Sequence, residues 1–288
     1  MSNLVFRAYD QDELDRQMNA RGTVPDIGPI IADYAQESAR CRAELPCAIG
    51  VKYGPKPEER LDIFPAQGKT AAPVYVFIHG GYWRLLDASD SSFMARSLTA
   101  AGACVVAVNY GLAPATPLSE IVRQCAAALG WVADNIARYG GNPGHIHVSG
   151  SSAGGHLAAM MLSPDWQRAG GIPAGAIHSA SPMSGLHDLE PVQKSNCNAW
   201  LNLDAGEARR FSPIHHLPSV PVPLLVAYAP SETEEFKRQS EVYAAASAAR
   251  GAAVSVLVEP GTNHFDLPLK LMDDRSALFA GTARLLGL

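Results

Sequence analysis

Short apolar runs that alternate with helix-like stretches constrain the fold of this 288-residue chain more than any other feature. Three of these runs, VYVFI, CVVAV and LLVAY, lack the polar alternation of a strand with one solvated face. Such strands are typical of a parallel sheet, because helices cover both of its faces. The sequence therefore predicts a doubly wound α/β domain with right-handed crossovers between its strands.

Eight segments have strand character, and helical stretches separate most of them. The strands are predicted at residues 47–53, 60–64, 74–79, 103–109, 145–149, 175–179, 224–229 and 254–259. A Gly-Pro-Lys-Pro turn separates the first two, which are expected to form an antiparallel hairpin at an edge of the sheet. Helices are predicted to begin at Asp90, Ser119, Ser152, Ser231 and about Asp273.

Two segments do not follow the alternation of strands and helices. Residues 1–45 are polar and interrupted by Pro25 and Pro29, and we interpret them as an N-terminal arm or lid. Residues 182–222 form an insertion after the sixth strand, on the side of the sheet where loops build functional sites. The whole chain, residues 1–288, is predicted to be one domain with these two additions.

Composition and charge exclude several classes of protein. The net charge is −5 and the basic residues are scattered, so a nucleic-acid partner is not expected. The five cysteines have irregular spacings, which argues against a disulfide framework or a structural zinc site. The charged N-terminus does not resemble a signal peptide, and no apolar run approaches the roughly 20 residues of a membrane span. We expect a soluble cytoplasmic protein that acts on a small molecule. A homodimer is expected only because it is the most common assembly of soluble oligomers.

Residues 145–154 contain the pattern of a reactive serine: a strand, then Gly-Ser-Ser-Ala-Gly, then a helix. This order is typical of the nucleophile elbow of α/β-hydrolases, a sharp turn that exposes a serine above the end of a strand. Gly150 and Gly154 lack the β-carbons that would clash with neighbouring elements in such a turn. The serine centred between them, Ser152, is therefore the predicted nucleophile.

A second glycine motif follows the third predicted strand, which ends in His79-Gly80-Gly81. In α/β-hydrolases an H-G-G motif here and the residue after the nucleophile supply the amides of the oxyanion hole. We therefore predict that the amides of Gly80, Gly81 and Ala153 stabilise the oxyanion. Tyr82 and Trp83 would provide aromatic walls for the pocket. For Trp83 a position in the hydrophobic core is an equally good prediction.

The general base is predicted from its position after the last strand, where the loop contains His264. The acid is expected after the preceding strand, because this fold has the chain order serine, acid, histidine. Three glutamates compete there: Glu232, Glu234 and Glu235. Ser231 and Glu234 have the spacing of a capping box and Glu235 lies deeper in the helix, so Glu232 is predicted to orient His264.

For the remaining histidines the sequence gives weaker evidence of a function than for His264. His145 and His147 form an H-x-H pair on a strand, for which a core or surface role is favoured over metal binding. His156 is interpreted as structural, and the pair at 215–216 as a further candidate for the pocket wall. No histidine and carboxylate cluster has the spacing of a metal site, so neither a metal nor an organic cofactor is expected.

These motifs together resemble a known family. HGGYW, NYGLAP, GSSAGGHL, SGLHDLEP, SETEEFKRQS and NHFD are similar to the kynurenine formamidases (arylformamidases) of the serine-hydrolase kind and their bacterial esterase relatives. A more distant similarity is to hormone-sensitive-lipase-type esterases, whose H-G-G-G motif differs from HGGYW. The resemblance covers about residues 79–266 and implies a triad of Ser152, Glu232 and His264. Family members commonly have aspartate where Glu232 stands, and this elbow has Ser151 before the nucleophile instead of the usual histidine or aspartate.

The function predicted from the residues is acyl transfer through a serine acyl-enzyme. The resemblance implies an aryl formamide similar to N-formylkynurenine as the substrate, and hence a place in tryptophan breakdown. A small-acyl carboxylesterase or a thioesterase would use the same catalytic groups. A binding protein with a hydrolase fold and no catalysis is a remote alternative, since such proteins usually lack a triad residue.

Overall fold

The computed structural model describes residues 4–218 and 220–288, and the strands found there form one eight-stranded sheet. In chain order the strands are β1 (Ala48–Lys52), β2 (Arg60–Phe64), β3 (Ala72–Ile78), β4 (Cys104–Val108), β5 (Gly141–Ser151), β6 (Ile177–Met183), β7 (Leu224–Tyr228) and β8 (Val254–Val258). Their order across the sheet is β1-β2-β4-β3-β5-β6-β7-β8. The β1–β2 and β2–β4 pairs are antiparallel and all others are parallel, which confirms the predicted sheet and its edge hairpin.

Two strands extend four residues beyond a predicted bound. β5 begins at Gly141, four residues before the predicted start, and β6 continues to Met183 instead of ending at Ser179. At their carboxyl ends both strands are extended by parallel pairing with each other, in which Gly150 lies opposite Pro182 and Ser151 opposite Met183. The insertion after β6 therefore begins at residue 184 and not at 182. Residues 1–3 of the predicted arm and Ser219 of the predicted insertion lie outside the described residues.

Helices pack on both faces of the sheet, as predicted. The α-helices are α1 (Gln11–Gln17), α2 (Gly28–Glu44), α3 (Ala95–Ala101), α4 (Leu118–Asn135), α5 (Ala153–Met160), α6 (Pro164–Gly170), α7 (Glu190–Lys194), α8 (Asn198–Leu201), α9 (Ala205–Arg210), α10 (Glu234–Ala249) and α11 (Ala277–Leu286). Short 3-10 segments lie at Ala20–Thr23, Ala88–Asp90, Ile136–Tyr139, Pro213–His215 and Leu267–Met272. None of the helices in the described ranges is long and apolar enough to cross a membrane.

Three predicted helix starts were wrong. Asp90 ends a 3-10 segment, and α3 begins at Ala95 after Met94 without a side-chain cap. Ser119 lies inside α4, which begins one residue earlier. The capping box predicted at Ser231 does not form, because α10 begins at Glu234 after Thr233. Polar residues in loops before a helix often bind other loops instead, and Ser231 donates a hydrogen bond to the carbonyl of Thr262.

The strand side chains divide into two cores. Val74, Val76 and Ile78 of β3 point to the face covered by α4, α5 and α10, where a large apolar cluster forms. The alternate residues Tyr75 and Phe77 pack on the other face with residues of α2, α3 and α11. This alternation is the two-residue period of a strand, and it explains why the central strands are apolar at every position.

The N-terminal arm is attached to the carboxyl-end side of the sheet by specific hydrogen bonds. The Gln17 carbonyl accepts a hydrogen bond from Thr233 Oγ1 at 2.6 Å, and Gln17 Oε1 accepts one from the Glu235 amide at 3.0 Å. Asp15 accepts a hydrogen bond from the Asn196 amide in the insertion at 2.7 Å. The arm and the insertion therefore meet above the strand ends.

Candidate active site

Ser152 occupies the sharp turn between β5 and α5. Its backbone has φ 58° and ψ −118°, a left-handed conformation that costs a non-glycine residue free energy. The Ser152 amide donates a hydrogen bond to the Met183 carbonyl at 2.8 Å, which holds the turn against the end of β6. The surrounding sheet thus maintains a strained serine at the carboxyl ends of the strands. Ser152 also lines a cavity.

The two glycines of the elbow are required by close backbone packing. A β-carbon on Gly154 would overlap the carbonyl oxygen of Ile78 and lie 2.6 Å from that of His79. A β-carbon on Gly150 would lie 2.7 Å from the Ile78 oxygen and overlap the carbonyl of Gly154. The turn therefore packs directly against the end of β3, which brings the H-G-G loop beside Ser152.

His264 and Glu232 lie together next to this turn. Nδ1 of His264 is 3.6 Å from Oε1 of Glu232, and both side chains are almost completely buried. This separation is longer than a good hydrogen bond, and catalytic hydrogen bonds often shorten only when the substrate complex forms. Within the described residues, Glu232 Oε2 and His264 Nδ1 have no hydrogen-bond partner. His264 also lines the cavity that contains Ser152.

The other candidate carboxylates are engaged elsewhere. Glu234 is solvent-exposed and pairs with Lys237. Glu235 is buried and forms an ion pair with Arg238 at 2.6 Å. Asp266 accepts a hydrogen bond from the Asn263 amide at 2.7 Å within its own loop. Glu232 is thus the carboxylate that the fold brings to His264, although the capping argument that excluded Glu234 from this role was wrong.

Ser184 is a residue of the site to which the sequence analysis gave no role. Its hydroxyl donates a hydrogen bond to Glu232 Oε1 at 2.5 Å, and the Ala229 amide donates another to the same oxygen at 2.9 Å. Ser184 has φ 49° and is fully buried, and its own amide donates to the Ala227 carbonyl at 2.7 Å. The SGLHDLEP stretch, which begins at this serine, was the only sequence signal for it.

The predicted oxyanion-hole residues converge beside Ser152. A β-carbon on Gly80 would lie 2.7 Å from the Ser151 carbonyl and 3.4 Å from the β-carbon of Ser152. Gly81 has φ 97°, a conformation that favours glycine. Ala153 is the first residue of α5, so its amide has no acceptor inside the helix. Across residues 4–218 and 220–288, no hydrogen bond occupies the amides of Gly80, Gly81 or Ala153.

A cavity of about 640 Å³ contains Ser152 and His264, and aromatic side chains form much of its wall. Tyr82 lines it, as predicted, together with Trp200 of the insertion and Phe265. The N-terminal arm contributes Met18 and Tyr34 among other residues. The arm and the insertion therefore complete the cavity that the strand ends and the elbow begin.

Trp83 lies in the core and not in the cavity wall, which is the second of the two positions that the sequence left open for it. The side chain is fully buried, and its Nε1 donates a hydrogen bond to Nδ1 of His156 at 3.2 Å. Both Tyr82 and Trp83 have left-handed backbone conformations, with φ 51° and 59°. This sharp turn directs the two consecutive aromatic residues to different environments.

The remaining histidines have structural positions. Burial lowers the pKa of His79 to about 4, so its ring is neutral near pH 7, where it stacks on Tyr110 with ring centres 4.1 Å apart. His147 is hydrogen-bonded to Ser179 at 2.7 Å inside the sheet. His156, interpreted as structural, hydrogen-bonds to the Phe211 carbonyl at 2.7 Å. The pair at 215–216 does not line the cavity.

Comparison with known proteins identifies the family. A family model described as the α/β-hydrolase fold matches residues 75–266, about two thirds of the chain. The chain belongs to the α/β-hydrolase family. This family assignment agrees with the eight-stranded sheet and the elbow geometry, and the chain is a hydrolase enzyme.

Three similar proteins extend this assignment. Kynurenine formamidase of Danio rerio is 31% identical over 98% of this chain and 98% of its own length. Kynurenine formamidase of Salmo salar is 31% identical over 93% of this chain and 94% of its own length. Among solved structures, a candidate thioesterase from Silicibacter sp. TM1040 has a TM-score of 0.83 and 26% identity, covering 96% of this chain and 99% of that chain.

Proposed function

We propose that this hydrolase cleaves an aryl formamide similar to N-formylkynurenine, through a formyl-enzyme on Ser152. The observation that carries the proposal is the similarity to kynurenine formamidases over nearly the whole chain. A match of that length includes the N-terminal arm and the insertion, which line the cavity beside the elbow. The aromatic wall is suited to an aryl group bonded to the scissile amide.

The first half of the reaction transfers the formyl group to the enzyme. Ser152 Oγ attacks the formyl carbon while His264 accepts the hydroxyl proton at Nε2, since its Nδ1 faces Glu232. The carbonyl oxygen becomes an oxyanion, which the amides of Gly80, Gly81 and Ala153 would stabilise, each such donor being worth about 3 kcal/mol. The carbon–nitrogen bond then breaks, and His264 returns the proton to the departing arylamine.

The second half of the reaction releases the formyl group. His264 takes a proton from water, and the resulting hydroxide attacks the formyl ester of Ser152. The same amides would stabilise the second oxyanion, and its collapse releases formate and restores the serine hydroxyl. The buried carboxylate of Glu232 stabilises the imidazolium that forms in each half of the cycle.

Esters and thioesters are the alternative substrates, because their cleavage uses the same groups. The structural similarity to the candidate thioesterase favours a thioester as the second candidate. The assay that separates them compares kcat/KM for N-formylkynurenine, a 4-nitrophenyl ester series and a short-chain acyl thioester, with Ser152→Ala as the control. A dominant rate with the formamide supports the proposal, whereas turnover of only esters or thioesters rejects the formamide. Equal activity in wild type and Ser152→Ala would reject the serine mechanism itself.

A further inference from the structure

The mouth of the active-site cavity contains an excess of positive charge. Arg21 of the arm and Arg84 of the H-G-G loop line it, and none of the aspartates or glutamates that the structure describes does. Neither arginine forms an ion pair within residues 4–218 and 220–288. Burial raises the pKa of the Tyr34 and Tyr82 phenols and of the Cys197 thiol in the same wall, so these groups stay neutral near pH 7.

Arg84 is held in position by an aromatic platform. Its guanidinium carbon lies 4.0 Å from the ring centre of Trp200, a cation–π distance. Trp200 is itself fixed, because its Nε1 donates a hydrogen bond to the Tyr82 carbonyl at 3.0 Å. The Tyr82 ring meets the Trp200 ring edge-on with centres 5.8 Å apart. The H-G-G loop and helix α8, from distant parts of the sequence, thus build one support for a single guanidinium.

This arrangement leaves the donors of Arg84 available. Stacking occupies the flat face of a guanidinium, while its N–H groups point outward in the plane. A planar fork of N–H donors matches the two oxygens of a carboxylate. An exposed arginine that has no acidic partner in the described part of the chain, and that stacks on Trp200 at the mouth of an aromatic cavity, has the chemistry of an anion-recognition group.

We propose that Arg84, supported by Trp200 and assisted by Arg21, binds a carboxylate of the substrate and thereby selects substrates that carry this group. This assignment rests on the proposed function, because in an N-formylkynurenine-like substrate the arylamine part carries a carboxylate. The ring occupies the aromatic wall, the formamide reaches Ser152, and the carboxylate remains at the mouth. Selectivity for this substrate over neutral esters then comes from residues outside the triad.

The test compares two substrates that differ only in the anionic group, N-formylkynurenine and its α-carboxamide. We expect wild type to prefer the carboxylate, and Arg84→Gln to raise KM for it about tenfold with little change in kcat. The carboxamide should be unaffected, so the preference disappears. Arg84→Lys, which keeps the charge but not the planar fork, should restore part of it. Arg138→Gln is the matched control, because this exposed arginine lies in the 3-10 segment before the amino end of β5, away from the cavity.

Two outcomes separate this inference from the proposed function. If neither formamide is hydrolysed but aryl esters are, the same comparison is made with 3-acetoxybenzoate and 3-acetoxybenzamide. A carboxylate preference that Arg84→Gln removes would then reject the formamidase proposal and retain the anion site. A preference unchanged in both Arg84→Gln and Arg21→Gln, or no preference in wild type, overturns the anion site.

Discussion

Removal of the Ser184 hydroxyl tests the assignment of Glu232 as the triad acid. Ser184 donates one of the two hydrogen bonds received by Glu232 Oε1, and the Ala229 amide donates the other. In Ser184→Ala the carboxylate keeps only the amide, so its position opposite His264 is less restricted. Glu232 Oε2 has no hydrogen-bond partner among the described residues, so the second carboxylate oxygen does not compensate for the lost donor.

The size of the effect follows from the kind of hydrogen bond that is lost. A buried hydrogen bond to a charged group contributes about 1.5–3 kcal/mol. If all of this stabilisation acted in the transition state, the rate would fall about 10- to 150-fold. The retained Ala229 amide favours the lower end of this range, and we expect kcat to fall about tenfold with KM within about twofold of wild type.

The assay measures kcat and KM with 4-nitrophenyl acetate, together with the thermal midpoint of unfolding. Ser181→Ala is the matched control, because Ser181 is a buried serine of the neighbouring strand β6 whose hydroxyl has no hydrogen-bond partner among the described residues. It should keep the wild-type kcat. A Ser184→Ala protein with wild-type kcat, or one whose midpoint falls while kcat is unchanged, would refute the positioning role of Ser184.

Three further predictions concern stability and the cavity. Gly154→Ala should lower the free energy of unfolding by about 1–3 kcal/mol through overlap with backbone atoms, measured by urea denaturation. Gly144→Ala is the control, because its β-carbon would meet only the Asn142 side chain, at 3.4 Å, and equal losses in the two variants would contradict the packing argument. Burial lowers the pKa of His187 to about 3, below its unfolded value of about 6.5, so the unfolded state binds more protons and stability falls as pH decreases from about 6.5 toward 3. His187→Phe should therefore flatten this pH dependence, and an unchanged slope would exclude the histidine. Tyr82→Phe removes the hydrogen bond from the phenol to the Met18 carbonyl, and should speed proteolysis within the arm and raise KM; an arm cleaved at the wild-type rate would show that other contacts hold it.

Much of the fold was predictable because its signals are local. Continuous apolar runs identify strands buried on two faces, and six of the eight predicted strands lie within two residues of their observed bounds. The end of β6 was missed because Pro182 resembles a terminator, whereas pairing with β5 extends the strand beyond it. The helix start at Ser231 was wrong because its side chain has a loop partner that no local pattern reveals. The start at Asp90 was wrong because this residue ends a 3-10 segment capped by Asp87.

The sequence by itself determined the backbone requirements of the site: a serine between two glycines after a buried strand, an H-G-G turn, and a histidine after the last strand. These are constraints on neighbouring residues, so the order of residues along the chain records them. Tertiary structure alone decided which carboxylate reaches His264, that Ser184 supports it across 48 positions, and that Trp83 is core while Trp200 holds Arg84. Those contacts join distant segments, and their geometry exists only when packing brings the arm, the insertion and the strand ends together.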